Sequence, residues 1–148
     1  MQMTKYEKKK MEIEQADIEY IETPSETLPS KSFNDDGQLI IAMNEAAFST
    51  EAERYVALSH EKAHCDLGTF YSVNAPFMRR EWLEHKTMRH TIKKLLPFDS
   101  MKAAIAGGVC SNDFELAEYF EVTVELVESA VEYYTGYLGL SFRDEDER

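Results

Sequence analysis

The chain has 148 residues, with 16 basic against 28 acidic side chains and a formal net charge of −12. That length is one domain's worth, or one domain with a small helical appendage, and the charge argues against gripping a phosphate backbone, which relies on Lys and Arg releasing counterions. No apolar run approaches the roughly 20 residues that cross a bilayer, residues 1–11 lack the apolar stretch of a secretory signal, and two cysteines, Cys65 and Cys110, make no disulfide framework; a cytoplasmic protein with reduced thiols is expected.

In chain order, residues 4–15 are charged and helix-permissive. Residues 17–22 alternate polar and apolar side chains, the pattern of a half-buried strand. Residues 23–32 carry Pro24 and Pro29 among Ser and Thr and read as loop. Phe33 is read as the start of a short strand that turns at Asn34-Asp35-Asp36-Gly37. Residues 38–43, Gln38-Leu39-Ile40-Ile41-Ala42-Met43, are a near-continuous apolar run of central-strand type.

The best-defined helix follows. Thr50 and Glu53 form a T-x-x-E capping box, and Gly68 stands where a helix-terminating glycine belongs. Between them Ala52, Val56, His60, Ala63, His64 and Leu67 fall on one face. A second helix fits residues 76–95, with Pro76 suited to its first turn and Pro97 enforcing its stop. Its inward stripe reads Phe77, Glu81, Glu84, Met88, Thr91 and Leu95, so two carboxylates lie in a mostly apolar row. Trp82 falls off that row. Beyond Pro97, three short helices fit residues 100–106, 113–120 (capped by Asn112 or Asp113) and 124–137, and the charged tail 143–148 is expected to fray. The domain division is placed at Pro97, giving a core of 1–97 and an acidic helical extension of 98–148. The core holds 13 basic and 16 acidic side chains and the extension 3 and 12, which concentrates the negative charge in the extension.

His60-Glu61-Lys62-Ala63-His64 is an H-E-x-x-H sequence on the first of these helices. Residues four apart share a helix face, so both imidazoles reach one metal ion, and two neutral imidazoles suit zinc. Glu61, turned about 100° from His60, lies beside the metal rather than on it. There it can take a proton from the attacking water as general base. A catalytic zinc needs a third protein ligand. A buried carboxylate needs a cation, so Glu81 and Glu84 both qualify by spacing. An ion pair with Arg54, Arg79 or Arg80 is the plainer explanation for either. His85 and His90 are off the stripe. Cys65 is read as a small buried thiol.

From 37 to 134 the chain resembles the ImmA/IrrE zinc metallopeptidases, in particular their short phage and mobile-element members. One block is Asp36-Gly37-Gln38-Leu39-Ile40-Ile41-Ala42-Met43-Asn44, then Ser49-Thr50 and the H-E-x-x-H. A second, from Glu84 to Pro97, is similar to the family helix whose leading Glu is the third zinc ligand. A third is Glu115-Leu116-Ala117-Glu118-Tyr119-Phe120-Glu121-Val122-Thr123. Ala63 stands for the usual Gly, Thr87 and Met88 for the usual Ala and Asp or Asn, and His90 for a common aromatic. His90 is weighed as a group that supports a ligand or stabilises an oxyanion, against the plainer reading of a surface or packed histidine. The resemblance implies an α+β, zincin-like fold with a small β-sheet, zinc held by His60, His64 and Glu84, and Glu61 as catalytic base. It implies an endopeptidase acting on a helix-turn-helix immunity repressor to relieve repression. The C-terminal helices resemble a helix-turn-helix, but Glu125, Glu128 and Glu132 replace the Arg, Lys, Asn or Gln that base readout needs. A protein partner is therefore expected there rather than DNA. The alternative is a non-proteolytic anti-repressor that uses zinc structurally.

Overall fold

The computed structural model describes residues 2–24 and 28–143. Ser25, Glu26 and Thr27 of the expected loop, and most of the expected frayed tail, lie outside them. The fold is α+β and divides into two compact units, Met1–Met88 and Arg89–Arg148. The division falls inside a helix, nine residues before the Pro97 boundary read from the sequence.

The first unit begins with α1 (Lys5–Gln15), whose Thr4 cap accepts from the Glu7 amide at 3.1 Å while the Glu7 carboxylate accepts from the Thr4 amide at 3.4 Å. Three strands follow: β1 (Glu19–Glu22), β2 (Ser30–Asp35) and β3 (Gln38–Met43). Their order is β1-β3-β2, with β3 parallel to β1 and antiparallel to β2. The apolar run 38–43 is thus the central strand, as its composition requires. Asp36 and Gly37 make the β2–β3 turn, both at positive φ (51° and 95°), which matches the right-handed twist of a hairpin. Residues 30–32, read as loop, instead begin β2; two prolines and a run of Ser and Thr mask an alternating pattern. Period-2 geometry then puts Ser30 and Ser32, paired with Met43 and Ile41, on one sheet face.

That face is covered by α2 (Glu51–Leu67). Thr50 caps it, accepting from the Glu53 amide at 3.1 Å. The return arm of the expected box goes one residue upstream, the Ser49 amide donating to the Glu53 carboxylate at 3.2 Å. Ile13, Ile41, Met43 and Leu58 are fully buried in the core between α1, the sheet and α2, and Cys65 lies among them. Burial pushes the Cys65 thiol up to about 11, so it is an inert core thiol. A 3₁₀ turn, Glu45–Ala47, brings Glu45 to Tyr6 and Tyr20, whose hydroxyls lie 2.5 and 2.6 Å from its Oε1. These contacts tie α1 and β1 to the turn before α2. Burial, reinforced by Glu45, drives both phenols well above their usual range, and their hydrogen bonds, Tyr20 first, lower Glu45.

The next helix, α3 (Phe77–Leu95), crosses into the second unit. Its buried positions are Leu83, Thr87, Thr91, Ile92 and Leu95. Phe77 and Glu81, expected to face inward, are exposed, Phe77 by 64%. The inward face is centred one position earlier than the sequence stripe, which leaves Glu84 half-buried at its flank. A carboxylate there reaches a cleft rather than a closed core. The second unit continues with α4 (Phe98–Ala106), α5 (Asp113–Phe120, capped by Asn112) and α6 (Val124–Val131). The residues read as the end of the last helix, Glu132–Tyr137, take a π-helical turn. Leu126, Val127, Ala130 and Tyr134 are buried, and the Tyr134 hydroxyl donates to the Leu96 carbonyl at 2.7 Å. Among the described residues, no helix is long and apolar enough to cross a membrane.

Candidate metal centre

Helices α2 and α3 bring His60, His64 and Glu84 together in the first unit, with one ligand atom of each within 4.8 Å of the others. His60 Nε2 is 2.9 Å from Glu84 Oε2, and His64 Nε2 is 3.0 Å from Glu84 Oε1. The rings meet edge to face, with centroids 4.8 Å apart. Glu81 and His90 are not part of the cluster. Glu81 instead lies 3.7 Å from exposed His85. Of the arginines weighed as ion-pair partners, Arg54 binds Glu51 at 2.9 Å.

His64 is oriented from behind. Gly68, at φ 67°, ends α2 and turns the chain so that the Thr69 amide bonds back to the His64 carbonyl at 3.2 Å. This turn sets the Thr69 carbonyl 3.0 Å and its hydroxyl 2.9 Å from His64 Nδ1. Thr87 lies 2.6 Å from the Thr69 hydroxyl and donates to the Leu83 carbonyl at 2.7 Å. The Thr69 carbonyl can only accept, so His64 Nδ1 carries the hydrogen and Nε2 presents its lone pair to Glu84 when the ring is neutral. A lone pair facing a carboxylate at 3.0 Å needs a cation between them, either a proton or a metal ion. His60 Nδ1, by contrast, is buried without a hydrogen-bond partner among the described residues.

The donor set fits zinc. Two imidazole nitrogens and one carboxylate match a three-ligand site, and bonds of about 2.0–2.2 Å in a tetrahedron separate ligand atoms by roughly 3.4 Å. The two approaches to Glu84 need to widen by a few tenths of an ångström, while the ligand atoms, which spread to within 4.8 Å of one another, have to draw together around the ion. Hydrogen bonds from His60 and then His64 hold Glu84 far below the usual carboxylate range. Burial pulls His64 down, but the hydrogen bond and charge of Glu84 outweigh it and raise the imidazole overall.

Glu61 is buried beside the histidines and is not a member of the ligand cluster. Both of its oxygens accept from β2: the Ser30 hydroxyl donates at 2.8 Å and the Ser32 hydroxyl at 2.7 Å. Tyr71 donates to Glu84 Oε1 at 2.9 Å, and burial followed by that bond pushes its phenol up to about 12. Ser30, Ser32, Thr69 and Tyr71 were not singled out from the sequence. The Ser-x-Ser spacing before Phe33 was the available signal for the first two. These groups line a cavity of about 310 Å³ that also takes in Leu28, Phe70 and Arg80. No family model, curated protein or solved structure matches this chain.

Proposed function

We propose that the chain is a zinc-dependent endopeptidase with a zincin-like first unit. The convergence of His60, His64 and Glu84 in an open cleft, with Glu61 beside them but outside the ligand set, carries this reading. Zinc bound there would polarise a peptide carbonyl and lower the pKa of a water molecule. With the metal in place, Glu61 would be the residue to take a proton from the attacking water and return it to the leaving amine. Ser30 and Ser32 hold its carboxylate in one orientation, and Thr69 fixes the His64 tautomer. Tyr71, protonated at neutral pH, supports Glu84 and stands at the cleft.

The proposed substrate is a helix-turn-helix repressor of a phage or mobile element, met in the cytoplasm. This rests on the resemblance of the sequence blocks. The helix-turn-helix-like pair α5 and α6 is proposed as a protein-binding element, its acidic side chains suiting a basic partner. Metal content comes first as a test. We expect about one zinc per chain, lost in His64→Ala. Glu61→Gln should keep zinc and fold yet leave such a repressor intact. Repressor inactivation by that variant would instead favour a binding protein with a structural zinc.

A further inference from the structure

Arg80 is a cation in the cleft with no ion-pair partner among the described residues. It stands four residues before Glu84 on α3, on the same side of the helix, and lines the cavity with His60, His64 and Glu84. A Glu at that spacing is its natural partner. The Glu84 carboxylate, however, is taken by His60, His64 and Tyr71, and no carboxylate lies within ion-pair distance of Arg80 among the described residues. Its Nε is buried with no hydrogen-bond partner among the described residues. A guanidinium nitrogen left unpaired is costly, and a ligand entering the cavity that Arg80 lines can supply the acceptor when the side chain turns to it. The same cavity also takes in the apolar side chains of Leu28 and Phe70.

We infer that Arg80 is the specificity-determining residue of the cleft and takes a carboxylate of the peptide ligand. Four residues of helix rise about 6 Å, and an extended peptide advances about 3.3 Å per residue. The carboxylate therefore lies within about two residues of the group at the metal centre. It belongs to an Asp or Glu side chain of the peptide, which offers the planar pair of oxygens that a guanidinium binds through two hydrogen bonds; a free C-terminus offers the same pair, and binding there would make the site a carboxypeptidase rather than the endopeptidase proposed above. This inference rests on the metal-centre reading.

The test uses the zinc-loaded chain and hydroxamates, which bind zinc without any cleavage. Acetohydroxamate reports the metal alone. Two matched pairs of peptidyl hydroxamates carry Asp or Asn beside the hydroxamate, one pair extending to each side of it. A third pair ends in a free carboxylate or an amide. Calorimetry should find one carboxylate probe bound about tenfold more tightly than its neutral match, as expected for a charge-assisted pair. The pair that shows the difference distinguishes a side chain from a terminus. Arg80→Met, which keeps the aliphatic stem, should erase the difference and leave acetohydroxamate binding as it was. Equal affinities within every pair, or a preference that survives in Arg80→Met, overturns the inference while the metal centre stands. Failure of acetohydroxamate to bind the wild-type chain overturns the metal reading and this inference with it.

Discussion

His64 is held at both ring nitrogens, whereas His60 is held at one. The difference comes from Thr69 and Thr87, which have no counterpart behind His60 among the described residues. Thr87 is fully buried, and its hydroxyl fixes that of Thr69. Thr87→Val keeps the volume and removes the hydroxyl. It should weaken zinc binding by about tenfold, the lower end of what loss of a group supporting a ligand costs, read by competition with a chromophoric chelator. Equal affinity in the variant would mean that packing alone orients the ring. Ser30 and Ser32 make a separate prediction because they touch the base and not the ligands. Replacing both by Ala should leave zinc content unchanged and lower kcat by about tenfold or more, since a misaimed base loses part of a contribution of about 10²–10⁴. A change in KM alone would assign the serines to substrate binding.

Two helix ends carry opposite lessons about backbone. Gly68 sits at φ 67° with open space where a Cβ would go, so Gly68→Ala meets no clash. Its cost is conformational, about 1 kcal/mol. Glu121 ends α5 at φ 57° without the freedom of glycine. Glu121→Gly should therefore stabilise the second unit by about 0.5–1 kcal/mol. That gain would raise the denaturant midpoint at constant m. An unchanged or lower midpoint would mean that the Glu121 side chain stabilises the turn by more than its backbone strain costs. Gly68 was legible in the sequence, as were Thr50, the H-E-x-x-H spacing, the Asp36-Gly37 turn and the central strand, because each is written in neighbouring residues. The start of β2 was not, since its identity rests on pairing with β3 rather than on its own composition. Contacts between Ser30 or Ser32 and Glu61 span some 30 positions and have no local signature. The inward face of α3 was misread by one position because Phe77 is apolar yet exposed, so apolar spacing anchored the stripe on the wrong residue in its first turn; Trp82, read off the stripe, is exposed as well.

For the molecule as a whole, the site makes stability and metal affinity respond to pH in different ways. Glu84 is lowered by its hydrogen bonds from His60 and His64. It contributes stability above the unfolded carboxylate value near 4.3, lost as pH falls through its depressed folded value. His64 is raised against the opposing effect of burial, through the hydrogen bond and charge of Glu84. Its contribution is complete below the unfolded imidazole value of about 6.5 and disappears as pH rises through the raised folded value. The metal-free chain therefore gains most from this pair in mildly acidic solution and loses part of it on the alkaline side of neutrality. Zinc replaces the proton between His64 and Glu84, so its binding releases that proton and strengthens with pH by up to about tenfold per unit until His64 is neutral in the metal-free chain. The increase in Tm produced by a fixed zinc concentration should grow as pH rises from 6 until His64 is neutral in the metal-free chain, while the Tm of the chelator-treated chain holds level or falls. His64→Ala should show no zinc increment at any pH. An increment independent of pH in the wild-type chain would mean that no proton is displaced, and would place the metal away from the His64 and Glu84 pair.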